Sequence, residues 1–388
     1  MPRRYLIPVA VAAVLVTGFA TPALAGDREW RADLAVTSDD VGVVASGSAI
    51  TLAAGAPTAA SARTAERTGF LQLAPHTLPS AANAVTAALD ADVPAGTSVD
   101  VDVRGALGGD RWTEWVPAGS PLPSPATVVQ VRVALTGLAA RPAVRGLTLE
   151  ASTVDGVTAL AAGRSYRVYA TREGLVGGTT ANGHVIASRD HFVALPSRRG
   201  LSAKGTGTYS VQVCAGSRCE WAPVWDVGPW NTKDDYWNPA ATRESWKDLP
   251  QGRPEAQAAY EDRYNGGKDQ YGRVVANPAG VDLADGVFQD GLKLTTNSWV
   301  TVTYLWTGSG PAGTVRTASD PLNVRSSASS SGAQVGLAAN YAQVRVECQS
   351  TGESVTGTQG TSNVWYRIAA GKYVAKAYVA GVSGAGAC

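Results

Sequence analysis

Histidine and methionine are scarce in this 388-residue chain, with three His (76, 184 and 191) and one Met. Together with four cysteines, they make a ligand inventory too thin for a zinc site. No metal or other cofactor is therefore expected. Net charge is also lacking: 33 Lys and Arg against 32 Asp and Glu leave +1. That balance offers none of the positive excess on which nucleic-acid binding depends, so no nucleic-acid partner is expected. Beyond the first 25 residues no apolar run approaches the ~18 residues of a membrane span. Once the leader is removed, the chain is expected to have no membrane partner and to be a monomer.

Residues 1–25, MPRRYLIPVAVAAVLVTGFATPALA, have a basic start, an apolar stretch and a small-residue Ala-Leu-Ala end. This is the pattern of a signal peptide cleaved before Gly26. Tyr5 directly follows the Arg3-Arg4 pair, which fits an ordinary secretory route better than twin-arginine export. The expected location is secreted, either extracellular or associated with the cell wall. In an exported chain an even cysteine count implies disulfides, and four cysteines allow three connectivities. Cys214 and Cys219 enclose Ala-Gly-Ser-Arg like a hairpin clasp, and Cys348 and Cys388 share the last stretch. Local pairing, 214–219 and 348–388, is the expected arrangement. With 43 Gly and 21 Pro the chain favours short strands and tight turns, so a mainly β fold is expected.

Three regions follow the leader. Residues 26–153 contain the strict alternation Ser98-Val-Asp-Val-Asp-Val-Arg104, with apolar runs at 128–135 and 147–149 separated by turn residues. Period-two patterning of this kind predicts half-buried strands packed as a β-sandwich. The stretch RGALGGDRWTEW (104–115) resembles the β-sandwich accessory modules of secreted glycosidases and amidases. That resemblance implies a binding surface at Trp112 and Trp115; a core or edge pair of tryptophans is the alternative. Residues 163–308 carry strand patterns at 166–169, 209–214 and 299–306. They also carry one helix at 254–264, with Pro254 at its start and Asn265-Gly266 as a left-handed stop. A small barrel is expected there. Residues 309–313, within TGSGPAG, read as a linker.

Residues 314–388 hold LNVRS, QVG, VRVEC, GESVTG, WYRI and KYVAKAYV in that order. The series resembles a bacterial SH3 domain, a family that tethers exported proteins to peptidoglycan peptides. In the middle region Thr180-Ala-Asn-Gly183 is followed by Ala194-Leu-Pro196, then Trp225-Asp-Val-Gly-Pro229, then Gly280-Val-Asp-Leu283. This order resembles the double-psi β-barrel of rare-lipoprotein-A-like proteins, expansins and related murein transglycosylases. The resemblance implies a catalytic acid at Asp226 and a second acidic position at Asp282. It departs from the pattern at Val227, where those proteins have Arg, and at His184, where they have an acid. His191 stands one residue away from their histidine.

Chemistry gives Asp226 an independent case. An acid that protonates a glycosidic oxygen must hold its proton near neutral pH, and Val224, Trp225 and Pro229 can supply apolar walls. Hydrolysis requires two carboxyls at a defined separation, and Asp226 with Asp282 is the pair to measure. The structural alternatives are a strand-end turn residue for Asp226 and a helix N-cap for Asp282. Trp230, Tyr236 and Trp237 are read as an exposed aromatic platform for sugar rings, with His191 as a further contact and Trp225 as packing. Asp234-Asp235 lack calcium-loop spacing and read as a solvated loop.

The expected partner is cell-wall polysaccharide or peptidoglycan. The expected function is binding of that glycan, with cleavage in the manner of a lytic transglycosylase or glycoside hydrolase left open. The alternatives are a non-catalytic expansin-like binder and a secreted cysteine-protease inhibitor that uses the insertion at 231–250.

Overall fold

The structure is a computed structural model that describes residues 28–58, 60–63, 65–109, 111–154 and 163–388. The signal peptide read at 1–25 lies outside the described residues. The fold is mainly β and contains a closed six-strand barrel.

In the first region a five-stranded sheet faces a six-stranded one. Leu52, Val85 and Leu149 from the first sheet meet Leu71, Val103, Val129 and Val133 from the second in one apolar core. The alternating stretch lies in the strand Thr97–Gly108, which pairs antiparallel with Ala126–Gly137. Its valines turn toward that core, as the pattern predicts. Its polar face is not left to water, however. Asp102, Arg104, Gln130 and Arg132 are all buried, because that face is covered by the barrel. Arg132 pairs with Asp102 at 2.7 Å and also donates to the Arg198 carbonyl of the barrel region at 3.1 Å.

The barrel strands are β1 (Arg164–Arg172), β2 (Val193–Leu195), β3 (Ser210–Ala215), β4 (Arg218–Val227), β5 (Ala279–Leu283) and β6 (Ser298–Tyr304). Their order around the barrel is β2-β5-β1-β6-β3-β4, and β4 closes it by pairing with β2. The pairs β1/β5 and β2/β4 are parallel and the rest antiparallel. Inward-pointing Val168, Val211, Val224, Val281 and Val302 fill it. The expected helix is present as α1 (Glu255–Asp262). Pro254 caps it from outside, and its left-handed stop is Arg263 at φ 57°, ahead of the Asn265-Gly266 stop expected from sequence.

The expected surface at Trp112 and Trp115 is not formed as a pair: Trp112 is half-buried and Trp115 is buried. Trp115 is buried in the barrel core cluster, beside Tyr209, Trp237, Tyr304 and Trp306. Arg104 stacks over both Trp112 and Trp115 at 4.6 and 4.4 Å. Glu114 accepts from the Trp237 indole at 3.0 Å. The sequence RWTEW is thus a wedge that docks the first region against the barrel.

The segment read as a linker is partly structured, since Ala312–Val315 is a strand pairing with Gln343–Arg345 and Val379–Ala380. The last region is not tethered loosely. Its strand Gln334–Ala338 pairs in parallel with β4, placing Cys219 opposite Gly336 and Trp221 opposite Ala338. A Cβ on Gly336 would lie 1.9 Å from the Cys219 carbonyl oxygen, so only glycine permits that approach. The disulfides are Cys214–Cys219 and Cys348–Cys388, the local pairing expected. No helix among the described residues is long and apolar enough to cross a membrane.

Candidate functional site

β4 and β5 deliver the two acids singled out in the sequence. Asp226 is the next-to-last residue of β4 and Asp282 the next-to-last of β5, and both pair in register with Ala194 of β2. The central strand therefore brings them to one end of the barrel. Asp282 also sits opposite Thr171, the next-to-last residue of β1, whose first residue, Arg164, lies opposite Tyr304. The acids and the Trp115 wedge are accordingly at opposite ends of that strand.

Asp226 is fully buried. Its Oδ1 accepts from the Ala181 amide and its Oδ2 from the Ser61 amide, both at 2.7 Å. Asp282 accepts from the Thr171 hydroxyl on one oxygen and from the Ser61 hydroxyl on the other. Because Asp282 lies within a strand, the helix N-cap alternative is ruled out. Burial pushes Asp226 up to about 7 and Asp282 up to about 6.

A third acid, Glu173, belongs to the same cluster and escaped the sequence reading. It directly follows β1, its amide donates to the Leu283 carbonyl at 2.9 Å, and its side chain is buried. No donor from the surrounding protein reaches either of its carboxyl oxygens. Asp226 and Asp282 are the charged groups that act on it most strongly. Burial, followed by the neighbouring charges of Asp226 and Asp282, holds Glu173 well above the ordinary carboxylate range. The neutral, protonated form of Glu173 is thereby favoured. The available signal was its position: the residue after a strand that runs parallel to the Asp282 strand must emerge at the same barrel end.

Ser61 was also missed, since it lies in the first region, far from the barrel in sequence. The loop carrying it reaches across to the acids. The Ala62 amide donates to the Val227 carbonyl at 3.1 Å, and Arg273 donates to the carbonyls of Ala62 and Arg63 at 2.6 and 3.1 Å. Gly228 has φ 149°, and a Cβ there would stand 2.5 Å from the Ala62 nitrogen. The glycine of the Asp-Val-Gly-Pro motif therefore makes room for this loop.

Beside the loop is a cleft of about 180 Å³ lined by Ser61, Thr171, Trp230, Arg273, Asn277 and Asp282. Trp230 is half-buried at φ 59° and donates to Asn277 at 3.1 Å. It is the one member of the predicted platform that reaches a cleft. Tyr236 and Trp237 are fully buried and packed against Tyr304, because the chain around them turns into the barrel core. Tyr236 donates to the Gly280 carbonyl at 2.8 Å. Asp234 and Asp235 are not solvated either. Both are fully buried, Asp234 against Arg243 and Asp235 against Arg199. Asp234 also accepts from the Glu255 amide at 2.6 Å, which anchors the start of α1.

His191 lines a different cleft, of about 510 Å³, with His184, Trp225 and Tyr341. Its Nδ1 is held 2.7 Å from buried Glu220. Trp225 packs against Phe192, as expected. No group of three or more acidic, His or Cys side chains among the described residues is arranged to hold a metal ion.

A domain family of unknown function (DUF8814) matches residues 164–303. That span starts at the first residue of β1 and ends one residue short of the end of β6, so the match coincides with the barrel. No curated protein and no solved structure shows significant similarity to the chain.

Proposed function

We propose that this is an exported, wall-associated protein that grips cell-wall glycan, with peptidoglycan as the expected polymer, at the acid-bearing end of its central barrel. The barrel is read as the double-psi type, and the C-terminal region as an SH3-like second contact with the wall. One observation carries the reading: Asp282 and Trp230 face a common cleft, and Ser61, which lines it too, bonds both Asp282 and the buried Asp226. An indole face offers a stacking surface for a sugar ring, and carboxyls accept its hydroxyls.

Gripping is favoured over cutting, because both Asp226 oxygens are engaged by backbone amides. The protease-inhibitor alternative loses its motive. Asn231, Asp234, Asp235, Tyr236, Trp237, Asn238 and Arg243, seven of the twenty residues of the 231–250 insertion, are fully buried, which leaves less of it free to enter a protease.

Purified protein is expected to co-sediment with peptidoglycan sacculi, and Trp230→Ala to lose at least fivefold in retention. Unchanged retention of Trp230→Ala would remove the cleft from the binding surface. A muropeptide-release assay on wild type and Asp226→Asn separates grip from cleavage. Release by wild type that disappears in the Asn form would establish cutting.

A further inference from the structure

The acid cluster is already occupied, and the occupant is part of the same chain. Ser61 presents an amide N–H to Asp226 and a hydroxyl to Asp282. Those two donors sit on adjacent carbons. An amide and a hydroxyl on neighbouring ring carbons of a 2-acetamido sugar have the same spacing. The contacts are specific ones. Arg273 clamps two loop carbonyls, the Ala62 amide extends the hydrogen bonding of Val227, and Gly228 is shaped to the loop backbone.

The loop also divides two clefts. On one side is the space shared by Trp230, Asn277 and Asp282. On the other is a cleft of about 810 Å³, where Pro57, Thr58 and Ala60 face Gly177, Gly178 and Lys204. Asp226 lies beneath the partition, and Asp282 at its edge, in the Trp230 cleft. Little apolar burial holds the loop down: among its described residues, 60–63, only Ala62 joins a hydrophobic cluster, with Phe70, Ala134, Ala181, Leu201 and Val227.

We propose that residues 60–63 are a displaceable intramolecular cover over the acid site, and that their withdrawal joins the two flanking clefts into a single trough running across Asp226 and Asp282. The cover holds the place of the incoming ligand and controls access to it. Its link to glycan rests on the reading given under Proposed function; its existence as a cover does not.

The test uses the full chain with Ser61→Asp, which sets a fourth carboxyl against Glu173, Asp226 and Asp282 and expels the loop without altering the barrel. Water-soluble carbodiimide with glycine ethyl ester, followed by peptide mass mapping, reads access to the two acids. At least tenfold faster labelling of Asp226 and Asp282 in a folded variant is expected, with about tenfold stronger retention on peptidoglycan sacculi. Equal labelling in wild type and a folded variant overturns the cover, whatever the sacculi do. Faster labelling with no retention of either protein upholds the cover and defeats the glycan reading.

If Ser61→Asp does not fold, amide exchange in the wild type decides. Protection at Ser61 and Ala62 is expected to be at least a hundredfold weaker than at Val133 and Val302 in the core sheets. Equal protection would make the loop a permanent part of the core.

Discussion

Glu173 and Asp226 form a carboxyl pair that cannot ionise fully without severe repulsion in a buried setting. Both hold a proton more tightly in the folded chain than in the unfolded one. Their contribution to stability is complete below about pH 4, where the unfolded carboxyls are also protonated. It is lost as pH rises, through about 7 for Asp226 and through the raised range of Glu173. At about 1.4 kcal/mol per tenfold change in proton affinity, Asp226 alone costs up to about 4 kcal/mol above that point. Thermal melts of the wild type followed by circular dichroism should therefore fall between pH 4 and pH 8. Glu173→Gln, which removes one of the two raised carboxyls, should flatten that slope. An unaltered slope would mean that Glu173 does not titrate differently in the folded and unfolded chains. The buried pair Arg243–Asp234 makes a second prediction at this scale. Removing one partner leaves an uncompensated charge, so Arg243→Met should cost about 3–5 kcal/mol in urea unfolding.

Among the elements, part of the barrel was legible, because β6 carries clean alternation, β1 and β3 fall on stretches read as strands, and α1 carries its own start signal. β2 and β5 were reachable only through the motifs around them; at three and five residues they are too short to display a period. The platform at Trp230, Tyr236 and Trp237 was misjudged for a physical reason. An aromatic cluster beside Gly and Pro has the same composition whether it faces water or turns inward, and only the inward-turned Tyr236–Gly280 bond distinguishes them. Asp226 and Asp282 were found, because they lie within short motifs. Ser61 and Glu173 were not: one acts from another sheet, and the other is isolated in sequence. At the junction of β4 with Gln334–Ala338, Gly336→Ala should force the strands apart. A loss of about 1–3 kcal/mol, or more, is expected from the urea midpoint. A change within about 0.5 kcal/mol would mean that the pairing is not tight.

Across the whole molecule, the three regions read from sequence are bound to one another more closely than their composition implied. The polar strand face that patterning would leave to solvent is buried against the barrel, and the barrel sheet continues into the C-terminal region. Patterning identifies which residues share a face but not what covers that face, so contacts of this kind lie beyond it. A fragment of residues 163–388 should therefore expose the aromatic cluster around Trp237 and Trp306, which Trp115 covers in the full chain. It should bind the dye ANS, where the full chain does not. In the full chain Trp115→Ala should cost about 3–5 kcal/mol. A fragment that melts like the full chain and leaves the dye unbound would show the first region to be dispensable for the barrel.

Ser61 and the acids it touches are rooted in different regions, and that has a mechanical consequence. Any pull that separates the first region from the barrel acts on the few hydrogen bonds at residues 60–63 alongside the larger aromatic wedge. The weaker fastening would yield first, so such a load would bare the carboxyls before it dismantled the fold.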